Sequence, residues 1–258
     1  MNDRTGPGFL ASTTTVARRE LGALVDSSIP LVSGIAFFVL LHALFFFAGY
    51  PIGRIQAPPF FAGGVASLQV VFAWLPLLLA FLAPALTMGS WADERRSGTL
   101  DLLASYPLAP GASVLGKWLA TTALLAFLIV VAVVPLGVLC VALGPLDIAV
   151  AATGLLGALV LGAACAALGG FVSALAGDPL VAFLIGSLVL LACWLGGMLA
   201  PTLPGPVAEL AFAVSPQAHY LDTLARGVID LRDVLWLLGA MVTFCVLTHL
   251  SVEARRLR

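Results

Sequence analysis

The sequence predicts an all-α integral membrane protein with six transmembrane helices, and three observations lead to this fold class. Of the 258 residues, 61% are hydrophobic and only 10% are charged, whereas a soluble domain carries about a quarter charged residues. The mean hydropathy is +1.12. The 12 basic and 13 acidic residues form clusters separated by long apolar stretches. This composition excludes an ordinary soluble enzyme, a disordered chain and a nucleic-acid-binding protein, which needs a basic face.

Six charge-free intervals each have room for one membrane-crossing helix of about 20 apolar residues. The intervals are Ser27–Gly53, Ile55–Ala92, Trp118–Leu146, Ile148–Gly177, Pro179–Ala208 and Val234–Val252. Within them we place the spans at 29–49, 66–90, 115–140, 148–173, 179–200 and 233–252. The runs are continuous rather than alternating, which excludes a membrane β-barrel. The chain thus divides into residues 1–28, a tail with an interfacial helix, and 29–258, the six-helix transmembrane domain.

The positions of lysine and arginine predict that both termini are cytoplasmic. Nine basic residues fall on the predicted inner side: Arg4, Arg18, Arg19, Arg95, Arg96, Lys117, Arg255, Arg256 and Arg258. Three fall on the outer side: Arg54, Arg226 and Arg232. Lys117 lies just inside the third span, and we expect it to snorkel to the headgroups. The first span is expected to act as an uncleaved signal.

Residues 14–28 predict an amphipathic helix on the inner membrane surface. Ala17, Leu21, Leu24, Val25 and Ser28 fall on one helical stripe, as in interfacial helices. Four charged residues lie largely off that stripe: Arg18, Arg19, Glu20 and Asp26. Residues 1–13 are polar and are expected to be mobile. An ordinary charged lead-in is the alternative.

The fourth span carries small residues at every fourth position. They are Gly154, Ala158, Gly162, Ala166, Gly170 and Ala174. Such a ridge allows another helix to approach closely. We therefore predict a helix-packing face.

The inner loop after the second span predicts a short helix exposed to the cytoplasm. Arg95 and Arg96 suit the C-terminal end of the second span, and Gly98 suits the left-handed residue that ends a helix. Thr99 can N-cap a new helix with Asp101 in its first turn. The apolar contacts of this helix would come from Leu100, Leu102 and Leu103, with Pro107 as its stop and Pro110 opening the next helix. A solvated turn is the alternative.

The outer segment between the fifth and sixth spans predicts short helices that dip part-way into the membrane, covered by protein. Ser215 and Pro216 are typical of a helix cap and first-turn proline. One face is apolar, formed by Tyr220, Leu221, Leu224 and Ala225. Gly227 is the expected helix end.

The sequence motifs do not indicate a catalytic site on this chain. Gly111–Lys117 matches GxxxxGK, but a phosphate-binding loop needs a preceding strand and a following Ser or Thr; here Pro110 precedes and Trp118 follows. HExxH is absent, and His42 stands alone in the first span. Asp178 is the only aspartate suited to intramembrane proteolysis, and it is more typical of a turn that caps the fifth span.

Cofactor and ion sites are also not expected. The four cysteines lie in apolar helices without CxxC spacing, as core residues rather than a disulfide or metal site. The interiors of the spans contain no carboxylate, which disfavours ion-coupled transport. An apolar or amphipathic substrate, or a device that transmits force, is favoured instead.

Two segments resemble permease subunits of the type-2 ABC transporter family. The first is Glu94-Arg-Arg-Ser-Gly-Thr-Leu-Asp-Leu-Leu103 followed by Pro107 and Val114–Ala120. The second comprises Ser215-Pro216, His219, Arg226-Gly-Val-Ile-Asp230 and Arg232-Asp233, and is similar to the outer loop of the gliding-motility and nitrous-oxide-reductase-maturation branch.

The resemblance implies a type-2 ABC exporter permease that forms a dimer with a second copy or a paralogue. A separate cytoplasmic ATPase would bind ATP and magnesium, and no cofactor is expected on this chain. Residues 99–105 would be the coupling helix, with Glu94, Arg95, Arg96, Thr99, Leu100, Asp101, Leu102 and Leu103 as ATPase contacts. The outer helices, with Ser215, Pro216, His219, Arg226 and Asp230, would form a gate or meet a periplasmic or membrane accessory protein.

The implied location is a bacterial inner membrane. Two alternatives stay open at this point. One is a non-transporting membrane subunit that drives a periplasmic partner, and the other is an intramembrane enzyme.

Overall fold

The computed structural model describes residues 8–50, 57–63, 67–98 and 110–256, and within these ranges the chain is helical, without a β-strand. The first half contains α1 (Phe9–Asp26), α2 (Ser28–Ala43, continued by a π-turn over Leu44–Ala48), α3 (Phe60–Gly63), α4 (Gln69–Thr87), α5 (Gly89–Arg96) and α6 (Pro110–Leu143). The second half contains α7 (Ile148–Leu175), α8 (Pro179–Leu199), α9 (Gly205–Val214), α10 (Pro216–Leu221) and α11 (Leu231–Arg256), with 3₁₀ turns at Ala200–Thr202 and Leu224–Arg226.

The six predicted spans are confirmed. Six helical segments are long and apolar enough to cross a membrane: Ser28–Ala48, Gln69–Arg96, Gly111–Leu143, Ile148–Leu175, Pro179–Leu199 and Leu231–Arg255. The second span continues six residues beyond its predicted end, because α5 follows α4 directly and stops only before Gly98. That glycine has φ +70°, a conformation that favours glycine, as predicted.

Spans two and four form the centre of the bundle. In their most apolar 18-residue windows, 72% and 67% of the residues are buried, against 22%, 28% and 17% for spans one, five and six. The small residues of span four make this possible, because Phe72 of α4 lies against Gly154 where a Cβ would stand. Spans one, five and six therefore present most of their apolar surface outward.

The predicted ridge on α7 winds around the helix rather than facing one neighbour. A step of four residues advances the helix by about 40° beyond a full turn. Gly154 therefore faces α4, while Gly162 faces Ile129 of α6, whose side chain would lie 3.1 Å from a Cβ at that glycine. Ala158 and Ala166 are buried. Gly170 has no atom within 4 Å of its Cβ position, so it makes no close approach in this fold.

Helix α1 corrects two predictions about the lead-in. The helix begins at Phe9 rather than near residue 14, and Ser12 and Thr13 are buried; residues 1–7 lie outside the described ranges. It packs along α6, and its packed face includes Glu20, which was expected to lie off the apolar stripe. Val25, expected on the stripe, is 64% exposed. The neighbouring helix, rather than the apolar stripe alone, sets the buried face.

Candidate functional site

A buried ion cluster around Lys117 lies at the span ends that are predicted to face the cytoplasm, which are called the inner ends below. The Lys117 Nζ donates to Glu94 Oε1 at 2.8 Å and to the Ser90 carbonyl oxygen at 2.8 Å. It also forms an ion pair with Glu20 Oε1 at 3.2 Å. An ammonium group has three N–H donors, and three oxygens lie within 3.2 Å of this one. The expectation that Lys117 snorkels to the headgroups is wrong, because its side chain is 5% exposed and is held by these partners.

The surroundings of the Lys117 ammonium balance its charge. The ring centroid of Trp91 is 5.1 Å from Nζ, a cation–π distance. Arg19 lies at the solvent-exposed edge of the cluster, with NH2 3.1 Å from Glu20 Oε1 and 4.0 Å from Glu94 Oε1. Two cations thus face two carboxylates, which is the condition under which a buried lysine is tolerated.

Ser173 of α7 holds the junction between α4 and α5. Its Oγ donates to the Met88 carbonyl oxygen at 2.8 Å. The same oxygen accepts from the backbone N–H groups of Trp91 at 3.1 Å and Ala92 at 3.2 Å. One hydroxyl therefore ties the inner end of span two to span four.

Two arginines meet at the C-terminal end of α7. Arg95 NH1 donates to the carbonyl oxygens of Leu175 and Ala176, both at 3.1 Å, and Arg255 NH2 donates to that of Leu175 at 3.3 Å. Cations are favoured at a helix C-terminus because the last carbonyls carry partial negative charge. Spans two and six are therefore both attached to the inner end of span four.

The turn that begins span five has the predicted cap. Asp178 Oδ1 accepts from the Leu180 N–H at 2.8 Å, and Pro179 opens α8, so the capping role predicted for Asp178 is confirmed. Its other oxygen, Oδ2, lies 3.2 Å from Arg96 NH1.

The predicted ATPase contacts divide into two groups. Glu94, Arg95 and Arg96 are described, and each has an intramolecular partner; Glu94 is mostly buried, and the Arg96 side chain is 69% exposed. Their contact with an ATPase stays a prediction. The remaining predicted contacts lie outside the described residues: Thr99, Leu100, Asp101, Leu102 and Leu103.

The GxxxxGK segment is part of a continuous helix. Helix α6 runs from Pro110 through Lys117, whereas a phosphate-binding segment is a loop whose backbone N–H groups converge. Gly111 and Gly116 instead face side chains of α1. The segment therefore serves helix packing.

A second polar cluster lies on the predicted outer side, around His219 of α10. The Nδ1 atom is 2.7 Å from Asp233 Oδ1 of α11, and Nε2 is 3.2 Å from the Ala213 carbonyl oxygen of α9. Both partners accept hydrogen bonds, so each lies opposite one nitrogen of the imidazole ring, and the tautomer decides which nitrogen donates. The ring stacks on Trp236 with centroids 4.3 Å apart.

The His219 cluster sits on a well-packed apolar face. The shared face of Tyr220, Leu221, Leu224 and Ala225 is confirmed, since all four are buried. The Tyr220 hydroxyl donates to the Gly154 carbonyl oxygen of span four at 3.4 Å. Gly227 has φ +87° and ends the 3₁₀ turn, as predicted.

The other predicted gate residues lie either at the start of α10 or on the loop between α10 and α11. Ser215 is fully buried at the N-cap position of α10, without a side-chain capping bond, and Pro216 is the first helical residue. Arg226 pairs with Asp222 at 3.5 Å, while Asp230 Oδ1 accepts from the Arg232 N–H at the start of α11. The structure thus brings Ser215, Pro216 and His219 together and leaves the other two on the connecting loop.

Sequence reasoning missed three partners in these clusters: Glu20, Asp233 and Trp236. Asp233 and Trp236 are three residues apart in a predicted helix, which places them on one face and was a usable indication. For Glu20 the only indication was that a carboxylate lies in an amphipathic stretch. Its partner, Lys117, is far away in the sequence, so the pairing could not be read from local spacing.

Among the described residues, no group of three or more His, Cys, Asp or Glu side chains could hold a metal ion. All four cysteines are free. A cavity of about 20 Å³ beside Lys117 is lined mostly by apolar groups, with a few polar side chains that include Thr87 and Thr121, and has room for about one water molecule.

The chain matches the family model described as "ABC-2 family transporter protein" over residues 54–250. A comparison with curated proteins finds no significant match. The matched region covers about three quarters of the chain and contains spans two to five in full and most of span six. The chain therefore belongs to the ABC-2 transporter family, as a multi-pass permease subunit of an ATP-binding cassette transporter.

Proposed function

We propose that this permease subunit couples ATP hydrolysis by a separate cytoplasmic ATPase to export across a bacterial inner membrane. Both termini lie in the cytoplasm, and two permease copies or paralogues form the transport unit. The observation that carries this proposal is the convergence of α1 and of spans two, three, four and six on one set of polar contacts beside the inner loop.

These contacts suggest how movement passes from an ATPase to the spans. A force on the loop after Gly98 acts first on α5. In α5, Arg95 is hydrogen-bonded to the end of span four. Glu94, also in α5, contacts Lys117 of span three, and Lys117 in turn contacts Glu20 of α1. ATP and magnesium belong to the ATPase. In this scheme the residues 99–105 form the coupling helix.

The outer segment supports a narrower assignment within the family. Ser215 is at the N-cap position of the helix that contains His219, and His219 contacts Asp233. These three residues are among those that resemble the gliding-motility and nitrous-oxide-reductase-maturation branch. We assign the chain to that branch, with α9 and α10 as its outer gate or as the site for a periplasmic partner.

A second function is a non-transporting subunit that passes force to a periplasmic partner. One observation favours it: the apolar parts of the spans contain no carboxylate. The spans therefore lack the charged side chains that would line a path for a charged solute. A substrate, if there is one, is apolar or amphipathic.

The experiment that tests the proposal is purification of the tagged chain from its native membrane in mild detergent, followed by mass spectrometry. We expect an ATPase in stoichiometric amount. Recovery of the folded chain alone, repeatedly and without ATPase activity, would overturn the proposal.

A variant then tests the coupling helix directly. A double change of Thr99→Ala and Asp101→Ala should uncouple ATP hydrolysis while the complex stays assembled. Unchanged coupled hydrolysis in that assembled variant would contradict the role of the loop. Solute flux in vesicles separates export from force transmission.

A further inference from the structure

The GxxxxGK segment of α6, residues 111–117, forms the surface on which α1 packs. A Cβ at Gly111 would lie 3.6 Å from the Phe9 ring. A Cβ at Gly116 would lie 2.7 Å from the Val16 side chain and 3.0 Å from the Thr13 carbonyl oxygen, closer than side chains normally approach. The two glycines therefore let the axes of α1 and α6 come close together.

Lys117, the last residue of the segment, extends this contact to a third helix. Its ammonium lies 3.2 Å from Glu20 of α1 and 2.8 Å from Glu94 of α5. The side chain is 5% exposed, so water does not screen these attractions as it does at the surface. The close approach at Gly116 brings Glu20 within reach of an ammonium one residue further along α6.

We propose that Lys117 is a positioning residue for coupling, which fastens α1 to the inner end of span two so that the two move as one body. The consequence for coupling rests on the proposed function, whereas the fastening itself does not. Glu20 and Glu94 belong to different helices, so neutralising either one removes one side of the link and leaves the other.

The fastening is measured as a distance between α1 and the end of α5. Spin labels are attached at Ala23→Cys and Ser97→Cys, both exposed, after the four native cysteines are replaced by alanine. The full chain, with the ATPase that co-purifies, is placed in lipid vesicles. Distances are recorded without nucleotide and with a non-hydrolysable ATP analogue. We expect one narrow distribution that is the same in both states.

The decisive variant is Glu20→Gln, which removes the Lys117–Glu20 pair and keeps the Lys117–Glu94 pair together with the longer Arg19–Glu94 contact of 4.0 Å. We expect its distance distribution to be at least twice as wide and to shift on nucleotide addition. Permease-stimulated ATP hydrolysis should fall at least fivefold. The matched control is Glu253→Gln, which removes an exposed carboxylate paired with His249 at 3.4 Å on α11; it should change neither value.

A rescue separates an ionic link from simple packing. Lys117→Met should widen the distribution like Glu20→Gln. Exchanging the charges, Lys117→Glu with Glu94→Lys, again places one ammonium between two carboxylates and should restore the narrow distribution. A role in packing alone predicts no such restoration.

The proposal is overturned if Glu20→Gln keeps the narrow, nucleotide-independent distribution. If Lys117→Met does not accumulate in the membrane, Glu20→Gln and the charge exchange still decide the outcome. Failure of the proposed function would look different: no ATPase would co-purify with the unaltered chain, while the nucleotide-free distances would still report whether α1 is fastened.

Discussion

The short helices α9 and α10, called the outer hairpin here, are attached to α11 by the His219–Asp233 pair. This pair should determine how often the outer hairpin opens, and Asp233→Asn tests this. The substitution keeps the size of the side chain and an oxygen that can accept from Nδ1, but it removes the negative charge of the acceptor. Both side chains are largely buried, at 9% and 12% exposure. A hydrogen bond to a carboxylate is therefore replaced, inside the protein, by a weaker hydrogen bond to a neutral amide oxygen.

The expected magnitude follows from the burial of the pair. Hydrogen bonds to charged groups contribute about 1.5–3 kcal/mol. Because the amide oxygen of Asn preserves part of the hydrogen bond, we take about 2 kcal/mol, which corresponds to a roughly 30-fold change in an equilibrium constant. The open population of the hairpin should increase by that factor if the cluster is the main attachment of α10 to α11.

The assay is the labelling rate of a cysteine placed on the buried face of the hairpin. Ala218→Cys suits this purpose because Ala218 is 7% exposed. A membrane-impermeant maleimide is added from outside to a chain whose native cysteines are replaced by alanine. When opening is fast relative to labelling, the rate follows the open population, so Asp233→Asn should label about 30-fold faster.

Asp222→Asn is the matched control for this experiment. Asp222 pairs with Arg226 at 3.5 Å, but both side chains are substantially exposed, at 38% and 47%. Exposed pairs contribute about 0–1 kcal/mol, so labelling should rise by no more than about fivefold. Equal labelling rates in the two variants would refute the reasoning that burial makes the His219 pair strong.

Three further predictions concern the stability of the bundle, measured as unfolding in mild detergent. Gly169→Ala should destabilise by about 1–3 kcal/mol through overpacking, whereas Gly170→Ala, with open space at its Cβ position, should be neutral or slightly stabilising; equal effects would contradict the packing. Ser173→Ala should cost about 1–3 kcal/mol because it leaves buried backbone groups without partners, and Ser187→Ala, whose buried hydroxyl has no hydrogen-bond partner, should cost less; the reverse order would show that the Ser173 bonds are unimportant. Asp178→Ala should cost about 1 kcal/mol through loss of the cap, and a change within error would mean that the cap contributes nothing measurable.

The sequence allowed the spans and several helix ends to be predicted, because both depend on local properties. A charge-free apolar run must be long enough to cross a membrane wherever it packs. Gly98, Asp178 and Gly227 act on the backbone within a few residues of themselves, and the structure has all three in the predicted roles. Local chemistry therefore predicts where helices begin and end.

The partners of Lys117 could not be predicted in this way. A lysine near a span end either reaches the headgroups or pairs internally, and the choice depends on whether carboxylates from other helices come near. Glu20 precedes Lys117 by almost a hundred residues, and the contact exists because Gly116 lets α1 approach α6. The close approaches at Gly157 and Gly169 are likewise set by side chains of other elements, Leu224 and Thr87.

The hydrogen bonds of Ser173 have a consequence for biogenesis. Spans enter the membrane in the order of synthesis, so span two is made well before the hydroxyl that accepts from Trp91 and Ala92. Until span four arrives, the junction at Met88 lacks the three bonds that this side chain supplies. The inner end of span two therefore completes its structure late, and a nascent chain halted before residue 173 should show this junction more open to protease than the finished protein.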